Sequence, residues 1–167
     1  MDLPQRKQTR LQFYDYSTPG AYFITICTHE KKCLLSQIIP VGEGLAPPET
    51  KLSALGQIVK KQILSLPSRY TTVSVDNYVI MPNHVHLLIS LSSGEISGGA
   101  SPSPTVIDAV RTMKSISALQ CSKQFGVKPL WQRSFHEHVV RNENDYREIW
   151  NYIDQNPARW KEDRYAL

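Results

Sequence analysis

The chain has 167 residues, 19 basic against 15 acidic, giving a net charge of +4 and a pI near 9.0; that length suits one domain, residues 1–167, with its own core. An apolar share of 41% with 20% charged residues excludes a disordered or fibrous chain, and the basic balance permits a polyanionic partner without requiring one. No apolar run reaches the roughly 20 residues of a membrane span, the start MDLPQRKQTR has no signal-like apolar block, and Cys27, Cys33 and Cys121 form no CxxC pair, so a reduced, cytoplasmic protein with no membrane association is expected.

After a basic, turn-rich start containing Arg6, Lys7 and Arg10, the run AYFITICTHE from Ala21 alternates β-branched and aromatic residues and predicts a strand. The stretch KKCLLSQIIPVGEGLAPPET carries three prolines and two glycines between Pro40 and Pro48, so residues about 40–50 read as a loop excursion. Ser53 then caps a helix running to about Leu64, with Leu55, Ile58, Val59 and Ile63 at helical intervals and Pro67 as its stop. From Thr71, TTVSVDNYVIMPNHVHLLISL holds two strands separated by Met81, Pro82 and Asn83. The Ser, Gly and Pro residues of 92–104 predict a flexible loop. Beyond it, Val106, Ile107, Val110, Met113 and Ile116 trace a second helix with Arg111 and Lys114 on its remaining surface. A short strand at about Phe135 to Arg141 and a third helix from about Asn144 to Asn156, ended by Pro157, complete the chain. The order strand, helix, strand, strand, helix, strand, helix predicts an α+β, ferredoxin-like fold: two βαβ halves around an antiparallel sheet, with helices packed on it.

His84 and His86, inside MPNHVHLLI, are the most informative pair. On a strand, residues i and i+2 face the same way, so two neutral imidazoles can chelate a divalent metal and leave positions open. The same pattern also fits surface or hydrogen-bonded histidines. Leucine at position 88, where a third histidine would stand, argues against a histidine-triad nucleotide hydrolase. On the third helix Tyr152 and Asn156 are one turn apart on one face, with Ile149 and Ile153 positioned to dock it; core tyrosine and helix terminus are the plain alternatives. Tyr146, six residues before Tyr152, is turned about 600° from it and points elsewhere.

The blocks MPNHVHLLI, LWQRSFHEHVVRNENDY and YIDQNPARW, with the opening YDYSTPGAYFITICTHEKKCLL, resemble the single-tyrosine (Y1, HUH-type) transposases, most closely their REP-associated branch. The likeness runs over roughly Tyr14 to Trp160, leaving out the two loops. It implies a metal-dependent endonuclease and strand transferase acting on single-stranded DNA at hairpins through a 5′-phosphotyrosine. It maps Tyr152 to the nucleophile, His84 and His86 to metal ligands, and Asn156 to the third ligand, where the branch from the smallest insertion sequences carries glutamine. Two imidazoles with oxygen ligands suit Mg²⁺ or Mn²⁺. Arg111, Lys114, Arg133, His136, His138 and Arg141 are candidate DNA contacts, with metal ligation a second option for the two histidines and solvated surface the alternative for the cations. Trp131 and Phe135 suit base stacking or core packing equally. A domesticated hairpin-binding protein without catalysis is the rival from another class, and a metal-dependent phosphohydrolase, which has no use for Tyr152, is a second.

Overall fold

The computed structural model describes residues 11, 13–40, 48–94 and 104–165. The basic start and most of both predicted loops (41–47 and 95–103) therefore lie outside the described residues. The elements in order are β1 (Gly20–Cys27), β2 (Ser36–Ile39), β3 (Glu49–Leu52), α1 (Ala54–Leu64), α2 (Leu66–Arg69), β4 (Val73–Ile80), β5 (His84–Leu91), α3 (Val106–Phe125), β6 (His136–Val139) and α4 (Glu143–Gln155).

The main sheet has the order β4-β5-β1-β6, with every neighbouring pair antiparallel. β1 and β4 run parallel with β5 between them, which is the split βαβ of a ferredoxin-like fold. The α+β expectation is met. Two details differ from it. The excursion after β1 contains an antiparallel pair, β2 with β3, so that Glu49 and Thr50 at the end of the expected loop are strand. Pro67 does not stop α1, which ends at Leu64; the proline sits in the first turn of α2, where its missing N–H costs nothing.

Helix boundaries follow local chemistry. The Ser53 hydroxyl accepts from the Gly56 N–H at 3.1 Å to start α1, and Thr105 with Asp108 forms a capping box at α3. Asn142 accepts from the Asp145 N–H at 2.9 Å to start α4. Gly56 is glycine for a steric reason, since a Cβ there would stand 2.0 Å from the Leu35 carbonyl oxygen.

The sheet is covered on both faces. Odd-numbered β5 residues Val85, Leu87 and Ile89 join Ile24, Ile26, Val59, Ile63, Val110 and Met113 in the main core. On the opposite face Leu88 packs against Ile149 and Ile153 of α4, with Phe23, Val79 and Tyr146 around them. Burying each of those isoleucines contributes roughly 1.5–3 kcal/mol, which seats α4 across β5 beside His84 and His86.

Candidate active site

Pleating sends His84, His86 and Leu88 to the α4 face of β5, and the register sets Cys27 opposite His84 and Thr25 opposite His86. The two imidazoles are fully buried, with ring centroids 4.5 Å apart. The Asn83 amide orients His84. Its Nδ2 donates to the Tyr165 carbonyl at 2.8 Å, so its Oδ1 faces His84 Nδ1 at 2.9 Å. An amide oxygen only accepts, hence Nδ1 carries the proton and Nε2 keeps its lone pair. That lone pair looks at Asp163 Oδ2 across 3.7 Å, both side chains being at most 1% exposed.

Two acceptors facing each other in a buried site call for a cation between them. Asp163 is held there by the Tyr165 N–H on Oδ1 and the Asn156 Nδ2 on Oδ2, each at 2.7 Å. One ligand atom from each of His84, His86 and Asp163 lies within 4.8 Å of the others. His84 Nε2 and Asn156 Oδ1 are buried with no hydrogen-bond partner, which is costly unless a ligand satisfies them. Burial lowers the His84 pKa to about 4, partly opposed by Asp163, and burial followed by the His84 charge pushes His86 well below its ordinary value. Both rings are neutral at pH 7, the state a metal ligand requires. Two imidazoles, a carboxylate and an amide oxygen therefore fit a divalent ion.

Tyr152 projects from α4 to the edge of this cluster. Its hydroxyl lies 3.4 Å from His86 Nε2, its ring meets His86 edge-on at 5.2 Å and Phe23 at 6.0 Å, and 38% of the residue is exposed. The Nδ1 of His86 shares a 2.8 Å hydrogen bond with Thr25 Oγ1, which aims Nε2 at the tyrosine. Burial raises the Tyr152 pKa, Asp163 adds to this, and Arg164 and the Asn156 amide oppose it. Tyr146 is turned away, its hydroxyl donating at 3.1 Å to Asp76 Oδ2 at the β4 bulge.

The second histidine pair shares the site's face. Thr25 pairs with both His86 and His136, and Phe23 with both Leu88 and His138, so His136 and His138 lie one strand beyond β1 on the same side. His138 Nε2 is engaged with Asp145 at 2.9 Å. Arg141 is exposed at the start of α4, and Arg111 and Arg133 are exposed along a groove between α3 and residues 127–135.

One expectation changes, and for two residues the structure selects one of the two readings given. Lys114 was expected to face phosphate; instead its ammonium donates to the carbonyls of Gln132, Arg133 and Ser134 at 2.8, 3.3 and 3.2 Å and sits 5.5 Å from the Phe135 ring. All three of its protons are used, and burial lowers its pKa to about 8. Trp131 is core, its indole N–H donating to Ser117 Oγ at 3.0 Å, and Phe135 is core as well. Neither presents a free face to a base.

Sequence reasoning missed Asp163, Asn83 and Tyr165. Asp163 follows a 3-10 turn, Trp160–Glu162, beyond α4, where no periodicity carries a signal. Asn83, one residue before His84, was readable only as a turn residue.

A family profile described as "Transposase IS200 like" matches residues 54–156, from α1 to Asn156. A protein of Haemophilus influenzae described only as uncharacterized is 32% identical over 173 aligned positions, covering 95% of this chain and 92% of that protein. The REP-associated tyrosine transposase of Escherichia coli K12 is 27% identical over 103 positions, 62% of this chain and 54% of that relative, so the match spans about half its length. Among solved structures, a REP-associated tyrosine transposase bound to a REP hairpin shares the fold with a TM-score of 0.61 at 22% identity, covering 90% of this chain and 74% of that one.

Proposed function

The chain belongs to the IS200-like, single-tyrosine transposase family, and on that premise we propose that it is a metal-dependent single-stranded DNA endonuclease and strand transferase using Tyr152 as nucleophile. The observation that carries this reading is the meeting of Tyr152 with His86 at 3.4 Å, beside the buried His84 and Asp163 pair, from elements 66 residues apart. No packing requirement asks for a half-exposed phenol beside buried neutral histidines and a buried carboxylate.

The residues that would hold Mg²⁺ or Mn²⁺ are His84, His86, Asp163 and Asn156. A divalent ion, when bound, polarises the scissile phosphate and offsets charge growing on its oxygens. The protein supplies the rest. Ile149 and Ile153 fix the helix so that Tyr152 Oη stands at the mouth of the cluster. Because burial raises the phenol's pKa, the nucleophile is protonated and weak at neutral pH, and a divalent ion held there would favour its phenolate. As Tyr152 Oη bonds to phosphorus, the bond from phosphorus to the 3′-oxygen breaks. The phenolic proton leaves through the solvent-facing mouth, and the 3′-oxygen takes one from water. One phosphodiester replaces another, so a different 3′-hydroxyl can reverse the step on a new strand without ATP.

The relative of known structure is bound to a REP hairpin, and a hairpin with a single-stranded flank is the substrate class proposed here. Among the described residues no helix is long and apolar enough to cross a membrane. The test is incubation with a panel of flanked hairpin oligonucleotides and Mg²⁺ or Mn²⁺, followed by denaturing gels and peptide mass. The expected product is a DNA adduct on the Tyr152 peptide that Tyr152→Phe abolishes while hairpin binding survives. An adduct persisting on another tyrosine refutes the assignment; hairpin binding with no adduct favours the non-catalytic alternative.

A further inference from the structure

Two cations beside the cluster have no role so far. Arg164 stacks its guanidinium 4.8 Å from the centre of the Tyr165 ring and donates to that hydroxyl at 2.6 Å, and Lys31 Nζ stands 6.0 Å from the same ring. Like charges gathered on one ring repel, and among the described residues neither forms an ion pair with a carboxylate. Lys31 is also held at a backbone cost. Glu30 and Lys31 have φ of 53° and 54°, the left-handed region that costs an ordinary residue about 1–2 kcal/mol. The turn is pinned by Thr28, whose hydroxyl bonds the carbonyls of Lys32 at 2.8 Å and Asn83 at 3.0 Å. Asn83 also orients His84, so the placement of Lys31 and of the candidate ligand is set by one residue. Strain of this kind persists where the surroundings over-determine it, and it gathers at functional sites.

The two cations line a hollow of about 500 Å³ on the sheet face together with Phe23, Thr25, Gln132 and His136. A second hollow, of about 790 Å³, holds Tyr152, Asn156 and Asp163, and Phe23 and Arg164 line both. The cluster therefore lies between two hollows, with the tyrosine in one and the unpaired cations about the other.

We propose that Lys31 and Arg164 grip the phosphodiester backbone of the single strand immediately 5′ of the scissile phosphate, the segment that leaves with the free 3′-hydroxyl. This rests on Tyr152 being the nucleophile. In-line displacement sets attacking and leaving oxygens on opposite sides of phosphorus. With Oη of Tyr152 entering from its own hollow, the departing 3′-oxygen and the nucleotides attached to it extend into the Lys31 hollow. Arg164, common to both hollows, is placed to hold the first phosphate on the leaving side, and His136 lines the hollow that receives the rest.

The test compares the parent protein with Lys31→Gln, Arg164→Gln and Arg164→Lys. The first readout is the salt dependence of binding to a fluorescent 12-nucleotide single strand of mixed sequence. Each lost phosphate contact lowers the slope of log K against log salt by about 0.7. Both glutamine variants are expected to show that decrease, with Arg164→Lys restoring it, because a purely structural role of Arg164 against Tyr165 would leave the slope unchanged. The second readout is KM for cleavage of substrates trimmed from the 5′ end. The penalty of Lys31→Gln should vanish once a single nucleotide remains 5′ of the cleavage site. Unchanged slopes overturn the proposal, as does a penalty that survives the trimming. Lowered slopes in a protein that forms no Tyr152 adduct would retain the grip on the strand and overturn the strand polarity along with the catalytic reading.

Discussion

Asp163→Asn separates metal binding from folding at one atom. In the present structure Asp163 Oδ1 accepts from the Tyr165 N–H, and Oδ2 accepts from Asn156 while facing the unprotonated His84 Nε2 at 3.7 Å. An isosteric amide keeps the bond to Tyr165 through its oxygen. Its nitrogen takes the place of the Oδ2 that accepts from Asn156 Nδ2, so the Asn156 amide must turn over to offer Oδ1 and leaves its own Nδ2 unpaired, while the second proton of the new amide faces the orphaned His84 Nε2. The metal-free fold should change little, since the Asn156 amide exchanges one orphaned atom for another while the His84 acceptor gains a donor, each such group being worth about 1 kcal/mol, and its Tm should stay within a few degrees of the parent's. Metal binding should collapse. The substitution removes the only carboxylate of the cluster, and unit charges about 4 Å apart interact by about 4 kcal/mol at an effective dielectric near 20. After discounting for the amide dipole that remains, a loss of about 3 kcal/mol is expected, roughly a hundredfold in Kd. The assay is calorimetric titration with Mn²⁺, paired with thermal unfolding in chelator. Mn²⁺ affinity within a few-fold of the parent's refutes the place of Asp163 in the site; a Tm drop of many degrees in chelator refutes the account of the orphaned acceptors.

Acid should destabilise the metal-free protein early. His84 and His86 have pKa values depressed by burial, so the unfolded chain binds more protons below its ordinary value near 6.5, and stability is lost as pH falls from there towards 4; urea midpoints at pH 7.5, 6.0 and 5.0 that do not change would contradict this. Tyr146→Phe should retain cleavage and adduct formation while costing about 1 kcal/mol in stability, because Asp76 loses one of three hydroxyl donors; loss of the adduct would mean that the wrong tyrosine of α4 has been assigned. Lys114→Met should destabilise the fold by about 1–2 kcal/mol, chiefly through the part-buried Gln132 carbonyl, since those of Arg133 and Ser134 are open to water, yet leave the salt slope of DNA binding unchanged; a slope that falls would return Lys114 to the phosphate contacts.

The spans of β1, α1, β4, β5, α3 and α4 were legible in the sequence because their periodicity, caps and flanking prolines are local. So was the common face of His84 and His86, which needs only the two-residue repeat of a strand, and that of Tyr152 and Asn156, which needs only a helical turn. Tertiary structure decided what those faces meet. Asp163 reaches His84 because the chain folds back after α4, an event with no repeat to announce it. His136 and His138 share the face of His84 and His86 because β6 pairs beside β1 in one register, and a slip of one residue would turn them to the opposite side. Lys114 had the position of a surface cation on its helix, yet its ammonium donates its N–H bonds to three carbonyls of a segment about twenty residues later. A side chain's direction is set within its own element, whereas its partner is set by packing among elements distant in sequence.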